Sequence, residues 1–186
     1  YQYVNLGTSL LSNRAAFTIE GWVKFDRATA IAATRMSLFG QNDAVEIGFI
    51  NGNLICYTLN GGQVDMPLST NYPNDNDWHH IAVTADGKAN GIKIYVDGVQ
   101  KVSGGSAVTN YGSSIDPTRF GWGTVDASGG GYTGEVFKLG FWNKALSQTE
   151  VTNMASGFVV YNASQTGLLA GYSFTETTGS STIASV

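Results

Sequence analysis

One cysteine is too few for a disulfide within the chain, so Cys56 has no covalent partner here. In a strand-like setting it reads as a small buried hydrophobe, and the only bases available to activate a thiol are His79 and His80. Charge is also scarce. Charged residues make up 13% of the 186, and the net charge is −4. That balance excludes a polybasic nucleic-acid surface and gives no attraction to phosphate backbones or anionic membranes. No apolar run reaches the length of a membrane span, and no signal peptide is visible, so membrane insertion is not expected. The chain opens at Tyr1 without Met, which suggests a processed protein or a module of a larger one. Proline is rare, with 3 residues, while the 24 glycines are scattered without a period. They fit many tight turns and neither collagen nor a linker.

Hydrophobic residues reach 42%, enough for one all-β domain with a sizeable core. Strand patterns recur at short spacing. Along residues 17–25, Phe17, Ile19, Val23 and Phe25 share one face, and Thr18, Glu20, Trp22 and Lys24 the other. Further strands are expected at 37–39, 44–50, 53–58, 63–67, 78–84, 92–96, 100–103, 119–123 and 135–142. Asn51-Gly52 and Asp97-Gly98 are residue pairs that tolerate positive φ in a tight hairpin. Ser147-Gln148-Thr149-Glu150 is a capping box and predicts one short helix near 148–155. Many short strands with frequent turns predict an all-β, two-sheet antiparallel sandwich.

Four stretches together carry a family resemblance: FTIEGWVKF (17–25), WHHIAVT (78–84), GIKIYVDGV (91–99) and GEVFKLGFWNKALS (134–147). In order and content they resemble laminin-G-like, concanavalin-A-like jelly-roll domains, the lectin/glucanase superfamily that includes the pentraxins. The likeness covers roughly residues 1–157. Residues 167–174 resemble the family's first strand, although they stand near the end. They either close this domain or begin a following module. Closure removes an open sheet edge, so 1–186 is read as a single domain. The resemblance implies a non-catalytic extracellular or cell-surface recognition module within a larger multidomain protein, with a glycan or a cell-surface protein as partner. A structural spacer in a surface adhesin, and a glycoside hydrolase or polysaccharide lyase domain, are the alternatives.

The residues bear on these alternatives directly. A retaining glycosidase needs two carboxylates about 5 to 5.5 Å apart, which alternate strand positions supply. No Glu-x-Asp-x-x-Glu stretch exists, Asp43 and Glu46 are three apart, and Asp75 and Asp77 fall in an Asn-Asp-Asn-Asp loop. No catalytic residues are therefore expected. His79 and His80 are adjacent on a strand and face opposite ways, so they cannot both ligate one ion.

Sugars present apolar C–H faces, on which an exposed aromatic ring stacks while amides and carboxylates bind the hydroxyls. Trp122, between two glycines, and Tyr132, after a Gly-rich loop, are the first candidates. Tyr57, in turn-rich surroundings like Tyr111, joins them with Asn42 and Asp43. Calcium is the cofactor the resemblance implies. Several family carboxylates are replaced, by Thr175, by Ala184 and by the run Val136-Phe137-Lys138. Asp75 and Asp77 remain as candidate metal ligands, with turn chemistry as their other reading.

Overall fold

Alternating apolar residues bounded by turn signals produce thirteen strands and three helices in a computed structural model that describes residues 3–121, 130–157, 160–174 and 184–185. In chain order the elements begin with β1 (Val4–Asn5), β2 (Phe17–Lys24), α1 (Arg27–Ala32), β3 (Met36–Gln41), β4 (Val45–Ile50), β5 (Asn53–Thr58) and β6 (Gly62–Pro67). There follow α2 (Leu68–Asn71), β7 (His79–Ala85), β8 (Ile92–Val96), β9 (Val99–Gly104) and β10 (Arg119–Phe120). The chain then forms β11 (Glu135–Trp142), α3 (Gln148–Ser156), β12 (Leu168–Ser173) and β13 (Ala184–Ser185).

The strands form two sheets. One has the order β1-β10-β3-β4-β5-β6 and the other β13-β12-β11-β2-β7-β8-β9. All pairings between strands are antiparallel, giving the predicted two-sheet sandwich. The Leu168–Ser173 strand pairs with β11 along its length. Period-2 alternation decides the core. Phe17, Ile19 and Val23 of β2 meet Ile81 and Val83 of β7, Ile92 and Ile94 of β8, and Leu139 and Phe141 of β11 on the inner face of one sheet. Phe39, Val45, Ile47, Phe49, Leu54, Cys56, Val64 and Met66 face them from the other. Burial pushes the Cys56 thiol well up, which makes it inert as a nucleophile.

Two hairpins set the register. Asn51 and Gly52 have φ of 48° and 82°, and Asp97 and Gly98 have 51° and 77°. Positive φ at both central residues gives the right-handed twist that adjoining strands require. Tyr111 is not a surface ring. It is fully buried, edge-on to Phe17 at 5.1 Å between centroids, and its hydroxyl accepts from Gly87 N at 2.8 Å.

Helix α3 is stopped and started as its sequence predicts. Ser147 Oγ accepts from Glu150 N at 3.3 Å, and Glu150 Oε2 accepts from Ser147 N at 2.7 Å. The helix covers part of the outer face of the seven-stranded sheet. Val151 and Leu146 pack there with Ala82, Tyr95, Trp142 and Tyr161 in a second apolar cluster. Beneath this cover lies a carboxylate. Glu20 Oε1 accepts from Tyr161 Oη at 2.8 Å and Trp142 Nε1 at 3.2 Å, and Oε2 lies 3.1 Å from His80 Nε2. His80 is fully buried and its Nδ1 has no partner among the described residues, while Nε2 donates to the Glu20 carboxylate, which can only accept.

Candidate functional site

Strand pairing gathers polar residues on the outer face of the six-stranded sheet. In register, Gln63 of β6 stands opposite Tyr57 of β5, and Tyr57 opposite Glu46 of β4. One step along, Asp65 stands opposite Ile55, and Gln63 Nε2 donates to Asp65 Oδ1 at 2.7 Å. Tyr57 is half-buried, Gln63 and Asp65 are exposed, and Glu46 is buried at 6% exposure. The face closes towards its middle, where Ile55 and Ser37 are buried. Tyr57 and Gln63 lie at the end bounded by β6 and the β3–β4 turn.

That turn brings Asn42 and Asp43 to the same place. Asp43 takes φ of 60°, a conformation that Asp adopts more readily than most residues. Its amide donates to Glu46 Oε1 at 2.8 Å. Asn42 Nδ2 donates to Asp43 Oδ2 at 2.9 Å and to Asp116 Oδ2 at 3.3 Å. Three of the expected binding residues, Tyr57, Asn42 and Asp43, are thus joined through Glu46, with Asp116 completing the group. Glu46 and Asp116 were not among the expected ligand contacts. Glu46 carried a signal, its place three residues after Asp43, whereas Asp116 approaches from 74 residues away and has no local signature.

Tyr132 stands elsewhere and is engaged. Its hydroxyl donates to Lys24 O at 3.0 Å or Glu135 O at 3.2 Å. Its ring meets Phe120 at 5.7 Å and Phe25 at 6.4 Å, and burial pushes its phenol well up. The side chain ties the end of β2 to the start of β11 rather than presenting an open ring. Trp122 lies outside the described residues.

Asp75 and Asp77 lie by the opposite end of β4. Asp75 Oδ1 accepts from Asp77 N at 3.2 Å and faces His79 Nε2 at 2.8 Å, while Asp77 Oδ1 accepts from Trp78 N at 2.8 Å. His79 Nδ1 faces Asp97 Oδ2, also at 2.8 Å. The His79 ring lies edge-on to Tyr72, which stacks on Phe25, and Phe25 touches Phe49 at that end of β4. This is an imidazole held by two carboxylates. Among the described residues no group of three His, Cys, Asp or Glu is placed to hold a metal ion. Asp75 and Asp77 each spend Oδ1 on protein donors.

Residues 1–152 match the Concanavalin A-like lectin/glucanases superfamily. Neuronal pentraxin-1 of Homo sapiens is 27% identical over 164 residues, which are 84% of this chain and 37% of that protein. The chain spans well under half the length of the curated relatives it matches. Among solved structures, a Bacteroides ovatus protein proposed to bind carbohydrate superposes with a TM-score of 0.72 at 15% identity, over 99% of this chain and 57% of that one. Domain 4 of AbnA, a GH43 extracellular arabinanase from Geobacillus stearothermophilus solved with arabinotriose, gives 0.57 at 21% identity, over 80% and 70%. At these identities the two structures show the fold. Among the described residues no helix is long and apolar enough to cross a membrane.

Proposed function

This chain belongs to the Concanavalin A-like lectin/glucanases superfamily, and from that premise we propose that it is a non-catalytic recognition module that binds carbohydrate at the outer edge of its six-stranded sheet. The observation that carries the reading is the line Gln63–Tyr57–Glu46, continued by Asp43, Asn42 and Asp116. A half-buried tyrosine ring gives a sugar a rigid apolar face at small cost in side-chain entropy. The carboxylates of Asp43, Asp65 and Asp116, and the amide oxygens of Asn42 and Gln63, are acceptors for ring hydroxyls. Strands hold Gln63, Tyr57 and Glu46 more firmly than loops would. The parent protein is extracellular or at the cell surface in this reading, in keeping with the arabinanase named above.

A glycan array, screened once with calcium and once with a chelator, tests the proposal. Binding in both conditions, lost in Tyr57→Ala while the melting temperature holds, supports a metal-independent site. Binding only with calcium assigns a cation to the acidic end of the face, around Asp43 and Asp116. No binding in either condition turns the reading towards a spacer or a protein-binding module. Asp43 and Asp116, two carboxylates from separate segments, meet at one amide. The array-selected oligosaccharide is therefore also followed for new reducing ends. Their release, abolished in Asp116→Asn, would replace recognition by hydrolysis.

A further inference from the structure

On the opposite sheet, a groove of about 260 Å³ runs between β7–β9 and the chain entering α3. Register builds its floor. Thr84 stands opposite Lys93, and Tyr95 opposite Gln100, all on the outer face. Ala145, Leu146, Ser147 and Gln148 form the wall, and Asp86 with Gly91 the end.

Two hydroxyl-bearing side chains line this groove. Thr84 and Tyr95 are each 2% exposed, and neither hydroxyl makes a hydrogen bond within the described residues. The fold holds both side chains in place with their hydroxyls unspent on protein groups, so a polyhydroxylated molecule in the groove can pair with the two together. The Lys93 ammonium forms no ion pair with any described residue, and its half-buried stem lies along the same floor. Asp86 spends Oδ1 on Lys88 N at 3.1 Å, leaving Oδ2 to accept from a hydroxyl. Gln148 Nε2 donates to Gly98 O at 2.6 Å, which fixes the amide and leaves its oxygen open as an acceptor. The nearby Lys144 and Glu150 neutralise each other at 2.7 Å, so the charges left on the groove are the Lys93 ammonium on its floor and the Asp86 carboxylate at its end.

We propose that this groove binds a saccharide bearing a carboxylate, a hexuronate residue of an acidic glycan. The carboxylate lies on Lys93, and the ring hydroxyls exchange hydrogen bonds with Thr84, Tyr95, Gln100 and Asp86. The volume is below the ~300 Å³ at which pockets for drug-sized ligands begin, which suits one or two sugar rings. The inference stands on this groove alone and does not depend on the face around Tyr57, which belongs to the other sheet.

The test is a two-dimensional NMR titration of the whole 186-residue chain. The probes are the methyl glycosides of glucuronate and galacturonate, each beside its neutral hexose twin. Saturable shifts at Thr84, Lys93, Tyr95, Gln100 and Gln148 with at least one uronide are expected, with the matching neutral twin roughly tenfold weaker, the size of one charge-assisted hydrogen bond. Lys93→Gln removes the difference between acid and neutral sugar. Thr84→Val, close to it in shape, weakens both. Tyr57→Ala leaves this titration unchanged, which separates it from the fate of the first site. Absence of saturable shifts with both uronides, shifts confined to other surfaces, or equal binding of acid and neutral forms would overturn the proposal.

Discussion

His79 Nδ1 lies 2.8 Å from Asp97 Oδ2, while its Nε2 lies 2.8 Å from Asp75 Oδ1. A neutral imidazole has one N–H and can satisfy one carboxylate; the imidazolium satisfies both. Burial alone lowers the pKa of His79, but the hydrogen bonds and charges of Asp75 and Asp97 outweigh it and raise the value above 6.5. Asp75, in turn, is held below 3.8, chiefly by its bond to His79. The contact ties the loop before β7 to the β8–β9 turn.

The pH dependence follows in sign. A group whose folded pKa is raised contributes stability that is complete below its unfolded value and is lost as pH climbs through the folded one. For His79 that loss begins above 6.5. The Asp75 contribution is complete above 3.8 and is lost as pH falls through its lowered value. Urea denaturation midpoints of the wild type are therefore expected to fall from about pH 6 to about pH 9. His79→Gln flattens that fall. An equal slope in the variant would remove His79 from the account.

Glu20 accepts from Tyr161 and Trp142 and faces His80, all beneath the α3 cover. Glu20→Ala leaves several buried donors unpaired and is expected to cost about 3 kcal/mol or more. Tyr161→Phe removes one donor and is expected to cost about 1 kcal/mol. Equilibrium denaturation of the two variants checks the order. Similar small losses for both would mean that the network contributes little.

Tyr132 bonds to backbone carbonyls at Lys24 and Glu135. Tyr132→Phe is expected to lower stability by about 1 kcal/mol and to leave glycan binding as it was. Weakened binding at unchanged stability would restore Tyr132 to the surface role its sequence context suggests.

Much of the fold was legible because the local signals agree with one another. β5, β8 and β11 occupy the residues that alternation and flanking turns predict. The capping box places α3 to within a residue. The helices α1 and α2 were not foreseen. They are six and four residues long, too short for a hydrophobic stripe to show, although Asp26 caps α1 by accepting from Thr29 N at 2.6 Å. The candidate site was legible only in pieces. Tyr57, Asn42 and Asp43 could each be picked by type, but their meeting at Glu46 and Asp116 depends on pairing between distant segments. The same holds for His79, whose second carboxylate arrives from 18 residues away through the β7–β8 pairing.

The central claim is a sugar site at the edge of the six-stranded sheet, and calorimetric titration of the array-selected glycan into wild type and Tyr57→Ala tests it most directly. Loss of one stacked ring is expected to weaken binding at least tenfold, equivalent to about 1.4 kcal/mol, at an unchanged melting temperature. Undiminished affinity in Tyr57→Ala would contradict the account and move the binding site off this face.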